Sequence, residues 1–166
     1  MKKERDCIIM DFFKAKENDI EIICGLYKEA MGTAGCTWDE HYPSVEHTRG
    51  DLERGDLYCL KTDQGEIIGA ISIDDDKLVD ELKCWSENGA ELSRLVVKEN
   101  YQNQGIAGKL LTEAMAVLRE RGFAYVHFLV SKSHIKALRA YSKLGFDNVG
   151  ESDLYDGNWW CYEKKL

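Results

Sequence analysis

From Glu91 to Leu144 the sequence alternates between short apolar runs and longer stretches with apolar residues on one helical face, and this alternation decides the fold class. Glu91 to Val97 ends on Leu95-Val96-Val97 and reads as a buried strand. From about Gly105 to Arg121, Ile106, Leu110, Leu111, Ala114, Met115 and Leu118 form one stripe, and Gly122 is the stop signal. Tyr125 to Val130 is a second strand, and Ser133 is the expected cap of a helix through Leu144, ended by Gly145-Phe146. A strand, a crossover helix and a second strand of one sheet lie parallel, joined by a right-handed connection.

The remaining segments predict strands of the other sense. Cys7 to Phe13 reads as a first strand, and Asp19 to Met31 as an amphipathic helix ending at Gly32. Gly32 to Tyr42 is an aromatic loop, followed by a short helix from Ser44 to Arg54 with Ser44 as cap and Gly55 past its end. Leu57 to Thr62 and Glu66 to Ile73 flank the turn Asp63-Gln64-Gly65, so a hairpin is expected. Asp74 to Gly89 is an acidic loop with room for one helical turn, and strands near Asn148–Tyr155 and Trp159–Lys164 close the chain. The expectation is an α/β fold with one mixed, mostly antiparallel sheet and about four helices, not a doubly wound one. No repeat or Gly/Ser/Pro-rich linker divides the chain, so residues 1–166 read as one domain.

Charge and cysteine usage narrow the function classes. The 22 basic and 30 acidic side chains leave a net charge of −8, with no basic stripe of the kind that binds nucleic acid. Acidity favours a cationic partner, or serves solubility alone. No apolar run is long enough to span a bilayer, and the N-terminus lacks the pattern of a signal peptide, so the expectation is a cytoplasmic protein without membrane attachment. Even the nearest cysteines, Cys24 and Cys36, are twelve positions apart, and most of the six sit among apolar neighbours; reduced structural thiols are expected. His41 and His47 lack partners at metal-binding spacing, so no metal is expected.

The chemistry concentrates where the central strand meets its helix, in Lys98-Glu99-Asn100-Tyr101-Gln102-Asn103-Gln104-Gly105-Ile106-Ala107-Gly108-Lys109. The first turn of a helix has unpaired N–H groups and about half a unit of positive charge. Gly105, Ala107 and Gly108 keep side chains away from those donors, which suits a pyrophosphate, and Lys109 adds a cation. Small residues here also ease helix packing, the plainer alternative. Neither the Walker A spacing nor G-x-G-x-x-G is met.

Gln102-Asn103-Gln104-Gly105-Ile106-Ala107 resembles the Q/R-x-x-G-x-G/A signature of the GNAT superfamily of acyl-CoA N-acyltransferases. It follows an R-L-x-V strand, Arg94-Leu95-Val96-Val97, as in that family. His134-Ile135-Lys136-Ala137-Leu138-Arg139-Ala140-Tyr141-Ser142-Lys143-Leu144-Gly145-Phe146 is similar to the family's N-x-x-A-x-x-x-Y-x-x-x-G-F segment, with His134 in the usual Asn position. The two motifs cover roughly residues 91–146; the N-terminal half agrees only in element order.

The resemblance implies a GNAT-like sheet with a splayed parallel strand pair, and acetyl-CoA as co-substrate. It implies a pyrophosphate site at the main chain of Gln104, Gly105, Ala107, Gly108 and Lys109, with Gln102, Asn103 and Ile106 in the same loop. It also implies pairing of the pantetheine arm with Leu95, Val96 and Val97, contacts from His134 and Ala137, and Tyr141 as the acid that protonates the departing thiolate. Leu95 N–H is the positional candidate for stabilising the oxyanion. Glu91 leads as general base, followed by Asp74, Glu40 and His41, while His127 on its apolar strand reads as structural. Trp38, Glu40, His41 and Tyr42 in the aromatic loop, with Trp85, are the candidate acceptor contacts. Trp159-Trp160 suits either core or a dimer face, so monomer and homodimer both stay open. The expected reaction is acetyl transfer to a small-molecule primary amine. The alternatives are a protein acetyltransferase acting on an N-terminus or lysine, and a non-catalytic acyl-CoA-binding module.

Overall fold

The computed structural model describes residues 9–166. Strands β1 (Met10–Lys14), β2 (Leu57–Thr62), β3 (Ile67–Asp74), β4 (Gly89–Val97), β5 (Tyr125–Ser131), β6 (Asp147–Ser152) and β7 (Trp159–Lys165) form one sheet in the order β1-β2-β3-β4-β5-β7-β6. Only β4 and β5 are parallel; every other neighbouring pair is antiparallel. The helices are α1 (Ile20–Ala30), α2 (Val45–Arg54), the single turn α3 (Lys77–Asp80), α4 (Ile106–Glu120) and α5 (Ile135–Lys143). The mixed sheet expected from the sequence is therefore the one observed.

Three boundaries differ from expectation. The strand expected to reach Tyr155 stops at Ser152, and Tyr155 lies in the helical turn Leu154–Asp156. The first strand runs later, from Met10 to Lys14, and Cys7 and Ile8 of the predicted strand lie outside the described residues. Helix α5 is capped by His134 and not by Ser133: His134 Nδ1 accepts from Ala137 N–H at 3.3 Å. Ser133 instead turns back toward Ser131, with the two hydroxyls 2.8 Å apart.

Alternation along the strands divides the interior into two layers. Tyr58, Leu60, Ala90, Leu92, Val126, Phe128 and Val130 face α4 and α5, meeting Ile106, Leu110, Leu111, Ala114, Met115 and Leu118. Leu57, Cys59, Ala70 and Val96 face the other way, onto Ile23, Leu26 and Tyr27 of α1. Leu110, Leu111 and Leu118 are essentially inaccessible, and each such side chain contributes about 1.5–3 kcal/mol. No helix among the described residues is long and apolar enough to cross a membrane.

Two irregularities in β4 shape its surroundings. Its pairing with β5 is limited to Gly89↔Tyr125, Ala90↔Val126 and Glu91↔His127. Beyond that point β5 stays paired to β7 as far as Ser131↔Trp159, so β4 and β5 diverge and a slot opens between them. On the other side, Ala70 opposes Val96 and Ser72 opposes Ser93, two steps of β3 against three of β4. The extra residue forms a bulge at Arg94, whose φ is 49°.

Candidate active site

The open edge of β4 presents main-chain groups to the slot. Lys98 N–H bonds Ile68 O on the β3 side at 2.8 Å, so by alternation the main chains of Leu95 and Val97 point into the slot. Val97 C=O there accepts from Gln102 Nε2 at 3.2 Å, while Val97 N–H and the Leu95 main chain face the slot.

At the far end of the slot lies the start of α4. Gly105 precedes it with φ 80° and ψ 10°, a left-handed conformation that a Cβ would strain, and no side chain caps the helix. Gln102, Asn103, Gln104 and Gly105 are exposed, while Ala107 and Gly108 are half-buried. The first-turn donors of Ile106, Ala107 and Gly108 precede the first intrahelical bond, which joins Lys109 N–H to Gly105 O at 3.0 Å. Lys109 main chain is thus occupied, contrary to the sequence expectation. Its ammonium lies 3.4 Å from Glu113, and Lys136 reaches Gln102 Oε1 at 3.5 Å.

Helix α5 flanks the slot on the α4 side. Tyr141 packs edge-on against Phe128, with ring centres 4.6 Å apart, and burial pushes its phenol up to about 12. Ala137, Leu138, Tyr141 and Leu144 pack against the core although no residue of α5 is fully buried. His134 accepts at Nδ1 from Ala137 N–H, which places its proton on Nε2 as an available donor; burial also lowers its basicity. Gly35 of the α1–α2 loop lies so close that a Cβ there would meet His134 Cα at 2.7 Å.

The opposite face of the same strands is acidic. Glu91 stands beside His127 in the last β4–β5 pair and opposite Asp74 in β3. It is 6% exposed, and its Oε2 has no hydrogen-bond partner among the described residues. Burial, then the nearby Asp74, Asp76 and Asp80, push its carboxyl well above the ordinary range, against the pull of Arg94. His127 Nε2 lies 2.8 Å from Asp80 Oδ1, and Trp85 stacks on the imidazole at 4.4 Å. Tyr155 donates to Asp76 Oδ2 at 2.5 Å.

Behind Glu91 the bulge directs Arg94 into a buried network. Its Nε and Nη2 donate to both oxygens of Asp51 at 2.8 and 2.7 Å. Nη1 lies 2.9 Å from Asp74 Oδ2 and donates to Tyr42 OH at 3.0 Å. Ser72 donates to Asp51 at 2.6 Å, Ser93 to Asp74 at 2.8 Å, and Arg54 to Asp51 at 2.7 Å. Burial alone raises the Asp74 carboxyl, but Arg94 and these donors bring it below the usual range.

The structure thus gathers Glu91, Asp74, Tyr42 and Trp85 on one face of the slot and Tyr141 and His134 near the other. Trp38, Glu40 and His41 do not join them. Trp38 packs edge-on against Tyr27 at 5.2 Å, part of the α1 core layer. Glu40 and His41 are exposed, 3.5 Å from each other. The Arg94–Asp51 pair, Asp76 and Tyr155 were not singled out by sequence; the acidic run Asp74-Asp75-Asp76 was the available signal. Among the described residues no group of three His, Cys, Asp or Glu is placed to hold a metal.

Comparison with known proteins places this geometry. The family model described as Acetyltransferase (GNAT) family matches residues 20–146. A GNAT-family acetyltransferase from Staphylococcus aureus Mu50 superposes with a TM-score of 0.75 at 18% identity, over 95% of this chain and 99% of that one. PaiA N-acetyltransferase from Thermoplasma acidophilum, in complex with coenzyme A, gives 0.75 at 21% identity, over 96% and 100%. Ribosomal-protein-alanine N-acetyltransferase from Brucella melitensis gives 0.74 at 19% identity, over 94% and 99%.

Proposed function

The chain belongs to the acetyltransferase (GNAT) family, and from that premise we propose direct acetyl transfer from acetyl-CoA to a primary amine of a small molecule. The whole chain acts as one acetyltransferase domain in the cytoplasm, where Cys24, Cys36, Cys59, Cys84 and Cys161 stay as free thiols.

The observation that carries this reading is Glu91: a buried, unpartnered carboxyl where β4 and β5 part, across the strands from Tyr141. The site suits the co-substrate. The slot edge at Leu95 accepts an extended chain as an added strand. The uncapped start of α4, with Gly105 in its left-handed conformation, accepts a pyrophosphate. His134 Nε2 and the half-buried Ala137 line the same side. When bound, acetyl-CoA supplies an activated acyl carbon and a thiol leaving group.

The protein's own groups do the rest. Glu91 takes a proton from the incoming ammonium, directly or through water, so that a nitrogen lone pair faces the acyl carbon. The N–C bond forms as the C–S bond breaks, and Leu95 N–H is placed to meet the charge that develops on the carbonyl oxygen. Tyr141 gives its proton to the departing sulfur and is restored by the second proton lost by the nitrogen, while the proton held by Glu91 passes to solvent. Asp74, held by Arg94, keeps a negative field at the acceptor. Tyr42 and Trp85 supply aromatic faces beside it.

Purified protein with acetyl-CoA and a panel of amines, including an N-terminal peptide, tests the reading by free-thiol release. Turnover of small amines supports it; micromolar acetyl-CoA binding without turnover of any amine overturns it. Tyr141→Phe should lower kcat about 100-fold while acetyl-CoA affinity stays within about threefold by calorimetry, since Tyr141 packs through its ring and its OH bonds no other side chain among the described residues. Because burial holds the phenol near 12, it remains protonated throughout the practical assay range. Gly105→Val forces a β-branched residue to φ 80°. It should cost about 1–2 kcal/mol in denaturant unfolding and weaken acetyl-CoA binding by about two orders of magnitude, by closing the anion site.

A further inference from the structure

We propose that the acceptor is an aliphatic diamine or polyamine, its second ammonium held by Asp76 and Asp80 while its reacting nitrogen faces Glu91. This rests on the acetyl-transfer reading above and names the substrate class of that site.

Charge pairing around the site is uneven. Arg94 and Arg54 are both committed to Asp51 and Asp74, and Arg54 also lies within 4 Å of Asp56 and Asp75. No Lys or Arg among the described residues forms an ion pair with Asp76, Asp80 or Glu91. Among the described residues the Asp76 carboxylate meets only neutral donors, Tyr155 OH and Leu78 N–H. Asp80 meets the imidazole of His127. Lys77 and Lys83, nearby in sequence, are exposed and pair with none of the three.

An acidic surface alone would be solvated and silent. Here the cluster surrounds Glu91, which is 6% exposed, with one carboxyl oxygen unpartnered. Asp80 lies 2.8 Å from His127, the strand neighbour of Glu91, and Asp76 and Asp80 both raise the proton affinity of Glu91. A single cation at Glu91 leaves the two aspartates uncompensated; a second ammonium on the same molecule compensates them. Tyr155, 62% exposed, and Trp85 provide aromatic surface for the intervening methylenes. An acceptor carrying a carboxylate in place of the second ammonium would meet repulsion from the same groups.

Three amines of equal chain length separate the possibilities: butylamine, 1,4-diaminobutane and 4-aminobutanoate, whose second groups are neutral, cationic and anionic. Both kcat/KM by thiol release and equilibrium binding by calorimetry in the presence of CoA are measured. The expected order is diamine, monoamine, amino acid, with roughly tenfold between successive members. In Asp76→Asn and Asp80→Asn the diamine-to-monoamine ratio should fall toward one, each ratio serving as its own internal control for folding. Turnover at equal efficiency for all three would overturn the diamine inference and leave acetyl transfer standing. Diamine-selective binding without turnover would uphold the diamine site at Asp76 and Asp80 but overturn the transfer reading, and with it the diamine's role as acceptor. Neither selectivity nor turnover would overturn both.

Discussion

Glu91→Gln is expected to be slower and more stable at once. As general base, Glu91 accounts for a factor of roughly 100–1,000 in kcat/KM at neutral pH, and the glutamine variant should lose it. The wild-type rate should rise with pH along a limb set by Glu91 deprotonation, above the ordinary carboxylate range, and the variant should lack that limb. Stability moves oppositely. A carboxyl whose folded-state proton affinity is raised binds more protons when folded than when unfolded. Folding stability is therefore lost as pH rises from the unfolded value of about 4.3 through the folded one. At neutral pH that loss is a standing cost, and removing the titratable carboxyl should add about 1–2 kcal/mol. Melting should rise by about 2–8 °C in a chain of this size. A variant of reduced activity and reduced melting temperature would mean that Glu91 is a structural group and not a base.

The second large effect is expected from Arg94→Ala. Arg94 is held at φ 49° in the bulge, and its guanidinium joins α2 through Asp51, β3 through Asp74 and the α1–α2 loop through Tyr42. Truncation leaves Asp51, 1% exposed, as an uncompensated buried charge. The expected loss is about 3–5 kcal/mol, seen as a fall in melting temperature of about 10 °C. Adding Asp51→Asn to that variant should restore part of the loss, because the orphaned carboxylate is its main source. Arg94→Lys should recover little, since one ammonium cannot make two parallel bonds to Asp51 and still reach Asp74. If the double variant is no more stable than Arg94→Ala, packing and not charge accounts for the network.

Most of the fold was legible because the chain states it locally. The stripe from Ile106 to Leu118 and the short runs on either side fix the parallel pair, and Asp63-Gln64-Gly65 marks the β2–β3 hairpin. The cap of α5 is ambiguous in the sequence because Ser133 and His134 are both competent acceptors, and only the folded backbone brings His134 Nδ1 to Ala137 N–H. The donor half of the site was readable for the same local reason: the loop, its small residues and the helix follow one another in sequence. The acceptor half is assembled across long separations. Asp51 and Arg94 lie 43 residues apart, and Tyr155 meets Asp76 across 79. Nothing in the aromatic loop distinguishes Tyr42, which reaches Arg94, from Trp38, which packs on Tyr27.

The divergence of β4 from β5 also bears on solubility. An unpaired strand edge ordinarily recruits further strands and leads to aggregation. Here the unpaired stretch lies inside the sheet, with β3 on one flank and β5, held on its far side by β7, opposite. A partner protein cannot dock there edge to edge, because its own neighbouring strands would collide with β5. The protein therefore keeps a sticky main-chain edge in constant readiness without offering it to other polypeptides.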